Sequence, residues 1–176
     1  MGGDIISPAS ITSNLATRFV GRRVIYYPSL ASTNEVAKQE AQQGTAEGTV
    51  IVADEQTAGR GRIKRAWLTP KGNIAVSVIL YPSIASLPYL IMVASLAVVH
   101  SIEAVTGLKS QLKWPNDVLI KGKKVCGILI ESKVRGDIVD YAIIGIGINV
   151  NLRLADFPAI SPTSYSDVSS CHDESF

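Results

Sequence analysis

The stretch Gln56-Thr57-Ala58-Gly59-Arg60-Gly61-Arg62-Ile63-Lys64-Arg65-Ala66-Trp67 holds two glycines, four cations and no acid. Apolar runs flank it, Thr49 to Ala53 before and Ile74 to Leu80 after. Four cations so close together cannot all be buried or paired locally. The stretch therefore reads as a mobile cationic loop between two strands. Its glycines let the backbone approach a ligand and take positive φ, and its arginines offer forked donors to a carboxylate or phosphate. On composition alone, an exposed hairpin tip is the simpler reading. The stretch is not a P-loop, because no Gly-Lys-Ser/Thr follows and it leads into a strand, not a helix N-terminus.

Lys113-Trp114-Pro115-Asn116-Asp117 is the second candidate. Pro115 fixes its own φ and pushes Trp114 to an extended conformation, which can aim Lys113 inward from a strand end. Asn116 and Asp117 can hold a metal ion or simply form a turn. The third is Ile144 to Asn151, where Gly145 and Gly147 alternate with isoleucine. Glycines on one strand face leave room for something flat, or for tight core packing. Asn149 at its end can meet a phosphate or a metal-bound water. Ser32-Thr33-Asn34-Glu35 reads as a capping box or as hydrogen-bonding groups for a polar ligand. Trp67 is either a core anchor or a platform for a base. His100 falls in a helix and suggests no chemistry.

The elements that must position these residues follow from periodicity. Val24 to Tyr27 is a short strand, and Ser32 starts a helix that runs through Ala37 and Ala41 to Gly44. Thr49 to Ala53 and Ile74 to Leu80 are strands, the second entered through the turn Pro70-Lys71-Gly72-Asn73. A core helix is expected from about Leu87 to Val105, capped by Ser86 and stopped by Gly107, with Leu90, Ala94, Ala97, Val98 and Ile102 on one face. Val118 to Ile120 and Lys124 to Glu131 flank a hairpin turn at Lys121-Gly122-Lys123. Arg135-Gly136-Asp137 turns the chain again into a last strand, Tyr141 to Asn149. Helices early and antiparallel strands late argue for an α+β fold.

Whole-chain properties bound the function. With 176 residues, 47% hydrophobic and 18% charged, the chain can build a globular core. A net charge of +2 argues against wholesale binding to DNA or a membrane surface. Cys126 in an apolar run and Cys171 in a polar one do not form a disulfide framework, which fits a reducing cytoplasm. Met1 to Ser13 reads as a loose lead-in without a signal sequence, and the Ser- and Asp-rich residues from Ser161 as disordered. Gly72 to Ile102 has no charged residue and is long enough for a bilayer. Pro82, Pro88 and several serines favour a strand, a turn and a buried helix instead.

Taken in order, these motifs resemble those of the biotin protein ligases, also called biotin–[acetyl-CoA-carboxylase] ligases. The matching residues are Ser32-Thr33-Asn34, Gln56, Gly59-Arg60-Gly61-Arg62, Arg65 and Trp67, Lys113 to Asp117, Lys124 with Gly127-Ile128-Leu129 and Glu131, and Gly145 to Asn151. The resemblance runs from about Arg22 to Pro162. It implies a mixed, largely antiparallel sheet with helices on one side, related to class II aminoacyl-tRNA synthetases, occupying residues 1–162 with a tail at 163–176. It also implies ATP-dependent activation of biotin to biotinyl-5′-adenylate, then transfer to a lysine of a biotin carboxyl carrier protein of a biotin-dependent carboxylase.

The resemblance assigns roles by position. Ser32, Thr33, Asn34, Gln56, Gly59, Arg60, Gly61, Arg62, Lys113, Gly127, Gly145 and Gly147 would bind biotin. Arg60, Arg62, Arg65, Trp67, Lys113, Asn116, Lys124 and Asn149 would bind ATP. Lys113, Arg62 and Arg65 would be catalytic, with Lys113 between the carboxylate and the α-phosphate, so Lys113→Ala is expected to abolish adenylation. Mg²⁺ would sit near Asp117 and Asn149. Relatives often pair through a sheet edge, so a homodimer is an expectation. Some relatives carry a DNA-binding helix-turn-helix, but fewer than thirty residues precede the first strand here, and no DNA binding is expected. The small C-terminal β-barrel domain of relatives has no counterpart before Phe176. Ile63 and Lys64 stand where relatives have an arginine and a glycine, so the loop keeps charge and loses a hinge. Two rival readings stay open: a lipoate–protein ligase or octanoyltransferase-like enzyme, and a non-catalytic biotin-binding remnant.

Overall fold

The computed structural model describes residues 7–152. The expected disordered segment from Ser161, the domain limit at residue 162 and Cys171 lie outside the described residues. Where a loose lead-in was expected, Pro8–Thr12 forms a short helix, α1, capped by reciprocal hydrogen bonds between Ser7 and Ser10. Val24–Tyr27 (β1) lies parallel to Val50–Ala53 (β2). Between them runs Thr33–Gln42 (α2). Ile74–Leu80 (β3), Ser110–Lys113 (β4), Asp117–Ile120 (β5), Lys123–Arg135 (β6) and Ile138–Ile148 (β7) complete one sheet in the order β1-β2-β3-β7-β6-β5-β4. Every pairing other than β1 with β2 is antiparallel. The sheet is mixed and largely antiparallel, as the sequence suggests.

Ser32 occupies the N-cap of α2, but its side chain makes no capping hydrogen bond. The capping box fails because Glu35 turns away to Lys38 and Arg60. The hairpin between β5 and β6 is closed by Lys121 and Gly122 alone, both at positive φ (49° and 78°), the signs a type I′ turn requires.

The long helix begins at Leu90, after a single 3₁₀ turn at Leu87–Tyr89, and ends at Thr106 (α3) with Gly107 left-handed at φ 72°. Leu87–Thr106 is long and apolar enough to cross a membrane by length and composition. Only a narrow stripe of α3 (Ala94, Ser95, Val98 and Ile102) is buried, against Val118, Ile120, Val125, Cys126, Ile128 and Ile144. Ala97, expected on the core face, is exposed, as are Val93 and Leu96.

The helices, expected on one side, divide between the two faces of the sheet. Ala37 and Ala41 of α2 pack with Ile51, Ile79, Tyr141 and Ile143, whereas α3 packs with Ile144 and, beyond it, Val78 and Leu80. Neighbouring residues on a strand point to opposite faces, so Ile143 and Ile144 place α2 and α3 on opposite sides. The α2 face carries the buried residues Ala75, Ser77 and Ile79 of β3. It is also the face that the Gln56–Trp67 loop covers.

Candidate active site

Cross-strand register sets out the floor of the site. One row runs Ala75, Gly147, Gly127, Asp117, Lys113 across five strands, and a second runs Ser77, Gly145, Leu129. Residues directly opposite on paired strands share a face, so both rows open toward α2 and the loop. A Cβ at Gly127 would lie 2.8 Å from Trp67 Cζ3, and one at Gly147 would run into the indole nitrogen. A Cβ at Gly145 would run into Asn34. The glycines thus admit protein side chains: Trp67 is wedged into the sheet and buried.

Above this floor lies a narrow cleft, partly open to solvent. Its inner end is neutral and hydrogen-bonded. Gln56 Oε1 accepts from Thr33 N at 2.8 Å and Thr33 Oγ1 at 3.1 Å, while Gln56 Nε2 donates to Thr69 Oγ1 at 2.9 Å. Ser77 Oγ lies 2.8 Å from Thr33 Oγ1 and 2.6 Å from Asn34 Oδ1. Ser32, Thr33 and Asn34 are all buried, yet each faces the cavity. Packed polar groups fixed in this way present oriented donors and acceptors to a ligand that must itself be satisfied.

The outer end is cationic. Arg60, Gly61, Arg62, Trp67, Asn116 and Lys124 line the cleft at this end, and Arg62, Arg65, Asn116, Asp117 and Lys124 continue into an adjoining open space. Arg62 donates to Asn116 Oδ1 at 2.7 Å, closing the loop onto the β4–β5 turn. That turn contains a cis Trp114–Pro115 bond. Lys124 Nζ lies 2.8 Å from Asp117 Oδ1 and 5.3 Å from the centroid of Trp67, within range of a cation–π contact. The loop is folded, not loose: Trp67 N donates to Gly59 O at 2.9 Å and Gly61 N to Arg65 O at 2.7 Å. Ile63 at its tip is 83% exposed with φ 56°.

The expected site residues divide accordingly. Ser32, Thr33, Asn34, Gln56, Arg60, Gly61, Arg62, Gly127, Gly145 and Gly147 surround the inner cavity. Gly59 lies beside it, and a Cβ there would meet the Trp67 carbonyl. Lys113 lines neither space and is exposed. It shares the site face, but on the edge strand, two strands and so about 10 Å beyond Gly127. Lys124 stands at the wall instead. Asn149 is buried and lines neither space.

The sequence reading passed over Ser77, which holds Thr33 and Asn34. It also gave Glu131 no role, although its place in the Leu129-x-Glu131 motif was a signal. Glu131 accepts from Asn34 at 2.8 Å and from Lys38 at 2.6 Å, with Arg60 at 3.4 Å. Burial works against its ionisation, but the hydrogen bonds from Lys38 and Asn34 and the charges of Lys38 and Arg60 outweigh that, holding its carboxyl below the usual range.

The described residues present no ready-made cluster of metal-binding side chains. Among the described residues no group of three or more His, Cys, Asp or Glu side chains could hold an ion. Asp117 is taken up by Lys124 and by Asn116 Nδ2 at 2.9 Å. A magnesium ion accompanying ATP is bound largely by phosphates and water, so none is assigned to Asp117 or Asn149.

An α+β module with a cleft neutral at one end and cationic at the other, under a glycine-arginine loop, has the make-up of a binding site for a small molecule with an anionic end. Residues 26–149 match the Biotin/lipoate A/B protein ligase family, and the chain belongs to it. It is 46% identical over 156 residues to the bifunctional ligase/repressor BirA of Bacillus subtilis, covering 87% of this chain and 48% of that protein. It is 39% identical over 142 residues to the biotin–[acetyl-CoA-carboxylase] ligase of Paracoccus denitrificans, covering 78% of this chain and 58% of that protein. The chain therefore spans about half the length of these curated relatives. Among solved structures, it is similar to the biotin protein ligase of Aquifex aeolicus in complex with biotin and ATP (TM-score 0.66, 31% identity, 88% of this chain and 63% of that chain). It is also similar to the Leishmania major enzyme in complex with biotinyl-5-AMP (TM-score 0.68, 28% identity, 86% and 66%). These likenesses bear out the expected biotin ligase-like catalytic fold.

Proposed function

We propose that this chain activates biotin with ATP to biotinyl-5′-adenylate and transfers the biotinyl group to a lysine of a carrier protein. The observation that carries this reading is the polarity of the cleft, with oriented neutral hydrogen-bonding groups at one end and cations beside a buried tryptophan at the other. Biotin has a ureido ring that needs donors and acceptors once buried, and a carboxylate that must meet a phosphate. In the first step the carboxylate oxygen attacks the α-phosphorus, and the bond to the bridging oxygen breaks to release pyrophosphate. In the second, the carrier amine attacks the acyl carbon, loses a proton and displaces AMP.

Thr33, Asn34 and Gln56 hold the ureido end. Lys124 takes the role expected of Lys113: it stands at the junction of the two spaces, where a fixed cation lowers the repulsion between carboxylate and phosphate. Arg60, Arg62 and Arg65 cover the phosphates from the loop, and Trp67 with Asn116 forms the wall for the adenine. The carboxylate is the nucleophile, so no Ser-His or Cys-His pair is required. The reaction belongs in the cytoplasm, with a carrier protein of a biotin-dependent carboxylase as acceptor and a homodimer as the working state.

Biotin-dependent exchange of labelled pyrophosphate into ATP on the purified chain is the test. Exchange with biotin and none with lipoate or octanoate is expected. Biotin binding without exchange would leave a binding module, and exchange with lipoate alone would move the chain to the other branch of its family.

A further inference from the structure

Four charged side chains, of which the proposed chemistry uses only Arg60, meet at the inner edge of the cleft. Glu131 of β6 receives Lys38 of α2 at 2.6 Å and Arg60 of the loop at 3.4 Å. Arg60 also contacts Glu35 at the first turn of α2, and Lys38 reaches Glu35 at 3.1 Å. Two acids and two bases so placed balance one another and tie three separate elements together. The loop supplies one member, α2 two and the sheet one.

One neutral residue connects this cluster to the cleft. Asn34 donates to Glu131 at 2.8 Å while its Oδ1 accepts from Ser77 at 2.6 Å, and Ser77 Oγ lies 2.8 Å from Thr33 Oγ1. Asn34 is buried over Gly145 and faces the cavity. A ligand that engages Thr33 and Asn34 thus rests against the residue that orients Glu131.

We propose that Glu131 is a positioning residue, whose carboxylate holds Arg60 and with it the cationic loop closed, and which through Asn34 makes that closure respond to occupancy of the neutral end of the cleft. This rests on the reading of the neutral end as the biotin site. Glu131 touches neither substrate in this scheme. It acts through Asn34 on one side and Arg60 on the other, so the loop's grip on the phosphates is set by whether the head group is in place.

The test uses the full chain with Glu131→Gln, Arg60→Gln and the double variant. Glutamine at 131 keeps an acceptor for Asn34 and loses the charge that attracts Arg60. Each variant is followed by biotin binding calorimetry, by the trypsin cleavage rate after Arg62 and Arg65 with and without biotin, and by the half-life of bound biotinyl-adenylate. In the wild-type chain biotin should slow cleavage. Each single variant should lose about tenfold of that protection and shorten the adenylate's life by a similar factor, and the double variant should be no worse than either single, because contacting charges are coupled. Additive effects in the double variant, or wild-type protection in Glu131→Gln, would overturn the proposal. Arg60→Gln changes an exposed side chain, so it keeps the test open if the Glu131 variant folds poorly. If the wild-type chain binds no biotin, the underlying site reading fails instead, and the two failures are told apart.

Discussion

Trp67 occupies the space that a side chain at Gly147 would need, and its ring comes within 2.8 Å of where a Cβ at Gly127 would sit. The tryptophan is the last residue of the cationic loop, and the two glycines are paired neighbours on β6 and β7. A notch two strands wide in the sheet therefore fixes one foot of the loop.

Widening either glycine should dislodge the tryptophan. Gly127→Ala and Gly147→Ala are each expected to destabilise the chain by about 1–3 kcal/mol, the usual cost of overpacking. They should also raise the exposure of Trp67, seen as red-shifted emission and quenching by iodide. An unchanged spectrum and melting temperature in both variants would contradict the wedge.

Lys124 and Lys113 separate cleanly by pyrophosphate exchange. Lys124→Ala should lower the exchange rate by about 10²–10³-fold, the scale for removing one group that stabilises developing charge. Lys113→Ala, on the edge strand, should stay within a few-fold of wild type. The reverse ranking would return the catalytic role to Lys113.

At the neutral end, Thr33→Val removes a hydroxyl that bonds Gln56 and Ser77. Leaving buried partners unsatisfied costs about 1–3 kcal/mol, so biotin affinity measured by calorimetry should fall about tenfold or more. ATP binding should be little changed, since the adenine wall lies at the far end.

Glu131 also sets a pH signature. Its folded-state carboxyl is held below the ordinary value of about 4.3. Stability from its pairing is therefore complete above that value and is lost as pH falls through the lower, folded one. Melting curves from pH 7 down to 3 should show the wild-type chain losing more stability than Glu131→Gln over the acid part of the range. Parallel curves would mean that Glu131 contributes no such linkage.

Ile63 holds a left-handed backbone, φ 56° and ψ 41°, at an exposed loop tip. A β-branched residue is strained there, by about 1–2 kcal/mol. Ile63→Gly should relieve that strain and lower the biotin concentration needed for protection from trypsin. A higher requirement would show that the added flexibility of glycine outweighs the strain.

What could be read from the sequence was what is set locally. The β3 and β7 strands, the hairpin at Lys121-Gly122 and the stop at Gly107 all follow from short-range period or turn chemistry. The grouping of Thr33, Asn34 and Gln56 with the glycine-arginine loop came from their order in the chain. What was missed depends on register. Lys113 and Lys124 both lie near a hairpin, and only the pairing of Asp117 with Gly127, with the irregularity between Val118 and Leu119, puts one at the edge and the other on the wall. The division of α2 and α3 between two faces likewise rests on the placement of β7 between β3 and β6, which no local pattern encodes. Ser32 shows the opposite error, since a good capping sequence was overridden when Glu35 found Arg60.

The closed neck of the loop limits how much order a ligand must impose. Gly59 and Trp67 are hydrogen-bonded to each other, and so are Gly61 and Arg65 further along, so the part left to adjust is Arg62 to Lys64, three residues of the twelve from Gln56 to Trp67. Fixing a backbone costs about 1–2 kcal/mol of conformational entropy per residue. A clamp already tied along its base gives up only about a quarter of the backbone freedom of an untethered one, and the binding energy not spent on ordering the rest stays available for holding a reactive intermediate.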